Sequence, residues 1–278
     1  MTVRIITDST CDLPEMVVAQ YGIRVVPLYI QAGNREYLDG IDLTRDEFYK
    51  RLPTYSVHPT TAVPSPLKFH ALYDALADEG ANEVLSIHIS STLSAIVNIA
   101  QTAAAETTSV PVTVLDSRQL SLGTGFLVQT AAELAQAGKS VKEILVALED
   151  QIKRTYVWAV LDTLKFLRRS GRMNPVISTI GELIQIKPIL KMYDGVSGVE
   201  RVRTRKKALA HLLQMLHTYS PFEKLAFLHS NALGQAQALK NELQALLPSS
   251  ETWIEVINPV LGSHIGPGVV GFACVTKS

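Results

Sequence analysis

VRIITDST (residues 3–10), EVLSIHISSTLS (83–94) and VPVTVLDSR (110–118) decide the fold. Each runs through β-branched and aliphatic residues. Each stops at small hydroxyl or carboxylate side chains: Asp8-Ser9-Thr10, Ser90-Ser91-Thr92 and Asp116-Ser117. Apolar runs of this length read as strands buried on both faces of a parallel sheet. In open α/β sheets, ligands settle beyond the carboxyl ends of the strands. Three polar stops therefore predict a shared site for a polar group and leave the group itself open.

Helical patterns separate these strands. They run to about Gln20 after Asp12-Leu13-Pro14-Glu15, and over 67–79, 94–105, 124–137 and 141–154. A further strand is expected at 23–30, a turn at Asp39-Gly40, and a short helix opened by Thr44 with Glu47, a capping-box pair. The β-α-β order implies a parallel sheet covered on both faces, an α/β domain over 1–155. His58 to Pro66 holds three prolines, which exclude a helix or central strand and predict a stiff extended loop.

The second half changes character. A strand at 156–163 and a basic helix at 164–170 are followed by a helical stretch near 175–184. A hairpin is expected from KPILKMYDG and VERVRT, separated by Asp194-Gly195 and Ser197-Gly198. A helix at 206–219, a strand at 224–229, a helix at 232–246 and strands at 253–258 and 269–276 complete an α+β domain over 156–278. The hydrophobic residues of 176–190 and 207–228 are candidates to line an apolar tunnel or to form plain core.

Composition narrows the function. Hydrophobic residues make up 47% of the 278, charged residues 19%, and the formal net charge is 0, so global charge favours neither nucleic acid nor an anionic membrane as partner. The two cysteines, Cys11 and Cys274, have no zinc-type spacing and read as reduced thiols. No leader pattern and no apolar run of transmembrane length occurs, which predicts a soluble, cytoplasmic protein. Neither a phosphate-binding GxxxxGK[ST] loop nor a GxSxG nucleophile elbow is present. Gly123-Thr124-Gly125 lacks the rest of a dinucleotide fingerprint and reads as a packing element. No cofactor and no metal is expected.

Four residues stand out as candidate ligand contacts. Ser91 and Ser94 lie where a strand gives way to a helix, whose free N–H groups suit a carboxylate or phosphate; capping of their own helix is the competing role. Thr61 sits in the proline-stiffened loop, with its hydroxyl held toward a ligand or merely at the surface. His264, within Gly262-Ser263-His264-Ile265-Gly266-Pro267-Gly268, is the one histidine in a Gly/Pro loop and is able to donate to an anion. Two basic clusters, Arg168 to Arg172 and Arg201 to Lys207, are either solvated or a docking surface.

Taken together, DSTCDLP (8–14), YLDGIDLTRDEFY (37–49), TAVPSP (61–66), ISSTLSAI (89–96), DSRQLSLGTG (116–125), LKFLRRSGRM (164–173), KPIL with Asp194-Gly195, and GSHIGPG (262–268) resemble the DegV family. The characterised bacterial members of that family are fatty-acid-binding proteins of the fatty acid kinase B type. The resemblance spans essentially the whole chain. It implies an N-terminal α/β and a C-terminal α+β domain with one long-chain fatty acid held between or within them. It further implies a carboxylate held by Thr61, Ser91, Ser94 and His264, with Thr61, Ser91 and His264 ranked ahead of Ser94. This chain departs from the family at Ala62, where serine is common, and at Ala95-Ile96, where Gly-Thr is common.

A carrier of this type implies a separate ATP-dependent fatty acid kinase to which the carboxylate is presented for acyl-phosphate formation. Arg172, Arg201 and Arg203 are then candidates for the kinase-facing surface. Two alternatives compete: a Ser/His-dependent acyl hydrolase or transferase using Ser91 or Ser94 with His264, and a binder of another amphipathic carboxylate or isoprenoid.

Overall fold

The computed structural model describes residues 2–172 and 186–277. The helix expected near 175–184, and the tunnel residues sought at 176–185, lie outside them. Four parallel strands build the N-terminal sheet: β1 (Val3–Asp8), β2 (Arg24–Val26), β6 (Glu83–His88) and β7 (Val112–Asp116), in the order β2-β1-β6-β7. Burial runs almost unbroken along β1 and β6, as expected of strands covered on both faces. Helices α1 (Glu15–Tyr21), α3 (Pro66–Asp78), α4 (Ile96–Glu106), α5 (Leu122–Gln136) and α6 (Val141–Lys153) connect and cover them.

The strand expected over 23–30 is two strands. Pro27 interrupts it after β2, and the chain leaves for a separate antiparallel sheet of β3 (Tyr29–Ala32), β4 (Arg35–Leu38) and β5 (Thr60–Ala62), ordered β4-β3-β5. The proline-rich stretch expected to be a loop thus contributes the edge strand β5, where missing N–H groups are tolerated. Thr44 closes a capping box with Glu47 at the start of α2 (Arg45–Arg51).

The C-terminal sheet has six strands, all from residue 155 onward, in the order β10-β9-β8-β13-β11-β12. They are β8 (Thr155–Val160), β9 (Lys187–Tyr193), β10 (Val196–Val202), β11 (Phe222–His229), β12 (Trp253–Val256) and β13 (Val270–Thr276). The β9–β10 hairpin turns at Asp194-Gly195, both with positive φ (44° and 79°), the backbone that a tight hairpin requires. Helices α8 (Arg205–Tyr219) and α9 (Leu233–Asn241) pack on one face through Leu212, Leu216 and Leu239. The chain is therefore a parallel-sheet α/β domain followed by an α+β domain.

Helix α5 joins the two sheets. It is buried from Leu122 to Val128 and packs on β1, β6, β8 and β13. Gly123 and Gly125 make this approach possible: a Cβ on Gly125 would lie 2.5 Å from the Cys11 carbonyl oxygen, and one on Gly123 2.7 Å from a Val157 methyl. Among the described residues no helix is long and apolar enough to cross a membrane.

Candidate functional site

The carboxyl ends of the parallel strands hold two polar networks. Asp8 is fully buried and accepts from Thr10 N–H and hydroxyl, from Ile89 N–H (3.1 Å) and from His88 Nδ1 (3.0 Å). Burial pushes its carboxyl up, but His88, Thr10 and Ile89 together pull it below the ordinary value. His88 continues through Ser86 (2.7 Å) to the Tyr73 hydroxyl (3.1 Å). Asp8 is thus spent on holding β1 to β6. At β7, Asp116 accepts from both the Ser91 N–H (3.2 Å) and the Ser91 hydroxyl (2.5 Å), which fixes the turn ahead of α4.

Beside these ends lies a cavity of about 390 Å³. One wall is β8. Strand alternation turns Val157, Ala159 and Leu161 into the cavity, while Trp158 and Val160 enter the core beneath α8. Leu190 and Met192 of β9, Leu228 of β11, and Leu28, Ile89 and Leu93 from the N-terminal domain extend the apolar lining. The leucines of α8 face away from it. Thr10, Thr61, Ser94, Ser121, Arg172, Lys191, Ser197 and His264 supply the polar lining.

Thr61 and His264 meet, with Oγ1 and Nε2 3.1 Å apart. Thr61 is placed by β5, paired opposite Ile30 of β3. His264 is not in a loop, as the Gly/Pro-rich sequence suggests, but in the last turn of a short helix, α10 (Pro259–Ile265). Asn258 caps that helix by accepting from Leu261 N–H (2.9 Å). Asn258 is in turn held by Asp12 Oδ1, which accepts from its backbone N–H (2.9 Å) and its side-chain amide (3.0 Å). The DSTCDLP turn therefore anchors the histidine helix from 246 residues away. At the other end of the helix, Phe166 packs where a Gly266 side chain would stand, 2.4 Å from its Cβ position.

His264 is 9% exposed, and its Nδ1 has no hydrogen-bond partner. Burial first, then the nearby Arg172 and His58 charges, push its value down to about 3, so the imidazole is neutral near pH 7. It is a hydrogen-bonding group aimed at an apolar cavity and carries no fixed charge.

Thr61, Ser94 and His264 are brought together on this cavity. Ser91 is not among its lining residues; its side chain is exposed and turned to Asp116. Of the two sequence departures, Ala62 and Ala95 line the cavity, whereas Ile96 is fully buried in the N-terminal core. Arg172, expected on a docking surface, lines the cavity, while Arg201 and Arg203 are exposed on β10 and just beyond it. Thr10 and Ser121 were not singled out from sequence; Thr10 lies in the first polar stop, and that was the available signal. Among the described residues no group of three or more His, Cys, Asp or Glu side chains is arranged to hold a metal ion.

Fold and cavity define a two-domain α/β protein organised around an apolar cavity with a hydroxyl–imidazole end. The family profile described as "Uncharacterised protein, DegV family" matches residues 2–277, and the chain belongs to the DegV family. A DegV domain-containing protein of Deinococcus radiodurans is 37% identical, with 98% of each chain covered. One from Listeria monocytogenes is 33% identical, with 99% of each covered. The solved structure of a Thermus thermophilus DegV family protein, described for its fatty acid binding, superposes with a TM-score of 0.91 at 34% identity over 100% of both chains. Bacillus subtilis DegV, described as a fatty acid binding protein, gives 0.91 at 30% identity, again over 100% of both chains.

Proposed function

We propose that this protein binds one long-chain fatty acid in the apolar cavity and serves as its carrier. The observation that carries the reading is the Thr61–His264 pair on the wall of a cavity lined mostly by aliphatic side chains. The carboxylate would accept from Ser94 and from the Thr61 hydroxyl, which the His264 Nε2–H would hold in place by donating to Thr61 Oγ1, with Arg172 supplying the nearby positive charge. Ser91 would act at one remove, by fixing the turn that carries Ser94. The domains, taken as 1–155 and 156–278, would share the head group, through Thr61 and Ser94 of the first and Arg172 and His264 of the second, and the second would add the β8–β9 wall.

Burial stabilises by about 0.8 kcal/mol per methylene, so a long acyl chain contributes on the order of 10 kcal/mol before the losses of association. Tight binding then needs no covalent chemistry. A Ser/His hydrolase would need a serine activated by His264 and a group orienting that histidine. Here His264 Nε2 is bonded to Thr61, and the Ser91 hydroxyl is bonded to Asp116.

The finer proposal is that the head group is presented to an ATP-dependent kinase, with Arg201 and Arg203 on the docking face and Arg172 at the head group. Native mass spectrometry of the purified protein, followed by lipid extraction, tests the carrier reading. A stoichiometric mass shift resolving into fatty acid supports it. A bare chain that takes up no fatty acid on titration refutes it. Arg201→Glu should weaken kinase-dependent phosphorylation and leave lipid affinity unchanged; loss of lipid affinity would assign Arg201 a structural role.

A further inference from the structure

The β9–β10 hairpin belongs to the C-terminal sheet by its strands and touches the N-terminal domain with its tip. Strand β9 pairs with β8, and β10 is the outermost strand, paired with β9 at the end of the sheet. Leu190 and Met192 of β9, with Ser197 and Gly198 of β10, form one wall of the apolar cavity. At the tip, the Gly195 N–H donates to the Arg118 carbonyl oxygen (2.8 Å), and the Gly195 carbonyl oxygen accepts from the Thr92 hydroxyl (3.2 Å). The Arg118 guanidinium lies 2.9 Å from the Asp194 carboxylate, and its stem packs 3.6 Å from where a Gly195 Cβ would stand.

Arg118 is itself held in place. Its N–H donates to Asp116 Oδ1 (2.8 Å), while Asp116 Oδ2 takes the Ser91 N–H and hydroxyl. One carboxylate therefore fixes both the turn that carries Ser94 and the arginine that holds the hairpin. On its other side the guanidinium pairs with Glu149 of α6. Arg118 is not among the residues that line the cavity.

The cavity comes near solvent beside this contact. Leu93, Ser94 and Ala95 line it from the N-terminal domain, Ser197 and Gly198 line it from the hairpin, and none of them is fully buried. The wall formed by β8, by contrast, is hydrogen-bonded along both edges, to β9 and to β13. Across the tip the two domains meet through Arg118 and Asp194, whose side chains are 30% and 35% exposed, so water and salt compete for the contact. Parting the tip takes far less than parting a buried apolar wall. We propose that Arg118 is the clasp of a lipid gate: the fatty acid enters and leaves between the 93–95 turn and the hairpin, and the clasp sets the rate. The inference rests on the carrier reading. Because Arg118 lies off the cavity, loosening the clasp lowers one barrier that is crossed in both directions, so uptake and release quicken together and affinity is kept.

The test is stopped-flow release of a fluorescent fatty acid, cis-parinaric acid, from the full chain into excess albumin, with uptake measured by direct mixing. Arg118→Gln keeps the stem and removes the charge. Asp194→Asn removes the opposite charge and still suits the left-handed φ of 44°. Each should quicken both release and uptake by about two- to fivefold and hold the equilibrium affinity within about twofold. Added salt should quicken release from the unaltered chain and do less in Arg118→Gln. Hydrogen exchange of the Gly195 amide, read without lipid, should speed up in both variants. The proposal is overturned by unchanged release in both variants or by unchanged protection of the Gly195 amide. Faster release with unaltered uptake also overturns it, because the hairpin would then be part of the binding wall alone. A chain that takes up no fatty acid removes the carrier reading and the gate with it; normal binding with unaltered rates removes the gate alone.

Discussion

Replacing Ala159 by leucine should shorten the acyl chain that the apolar cavity accepts. Ala159 stands midway along the cavity-facing residues of β8, between Val157 and Leu161, opposite Leu190 on β9 and Gly271 on β13. A leucine there adds three carbon atoms to the lining and displaces about three methylenes of ligand. At about 0.8 kcal/mol per methylene the loss is about 2.4 kcal/mol, or roughly fiftyfold in affinity for a chain that fills the cavity. An acid shorter by the same length should bind as it does to the unaltered protein. The assay is a titration series of saturated acids of increasing length against both proteins, with thermal midpoints measured alongside, since overpacking alone costs about 1–3 kcal/mol. Uniform weakening at every length would mean that the substitution disturbs the head group or the fold. No weakening at any length would mean that the chain does not pass Ala159. Either result refutes the placement of the acyl chain along β8.

Thr61→Val should lower fatty acid affinity about tenfold, while Ser91→Ala should change it less than about threefold; a larger loss in Ser91→Ala would put the carboxylate on the Asp116 side of the turn. Folding stability should fall with acid. His264 is held down to about 3 in the folded chain, against 6.5 ordinarily, so between these values the unfolded chain binds the extra proton. That part of the stability is complete above pH 6.5 and is lost progressively toward pH 3, and denaturant titrations of His264→Gln should show a flatter acid limb. Asp8→Asn turns one of the two acceptor oxygens into an amide donor, so that either Thr10 or the His88–Ile89 pair loses its acceptor and the carboxylate charge is removed, and it should cost about 3–5 kcal/mol in a urea titration with unchanged slope.

The parallel sheet was legible because strands buried on both faces carry near-continuous apolar runs, and VRIITD and EVLSIH are such runs. The β3–β4 hairpin was not: its strands are four residues each and partly exposed, so no alternation develops. Helix α10 was hidden by its glycines, although Asn258 followed by Pro259 is a start signal of the kind that opens helices. At the site, Thr61 and His264 were nameable because few residues combine a rigid setting with hydrogen-bonding chemistry. The resemblance ranked Ser91 ahead of Ser94, whereas Ser94 is the one that lines the cavity. The two hydroxyls are three residues apart in a turn, and which one faces the cavity is decided by Asp116, 25 residues later. Arg172 reads as surface charge in sequence and lines the cavity only because α7 (Lys165–Ser170) packs against α10.

Asp12 occupies the left-handed backbone region, φ 56°, in the turn that stands between the apolar cavity and a second, charged cavity of about 600 Å³, and it also grips the cap of the histidine helix. Such a turn is a partition. A substitution that shifts it would reshape both chambers at once, through Thr10 on one side and Ser9, Cys11 and Asp12 on the other.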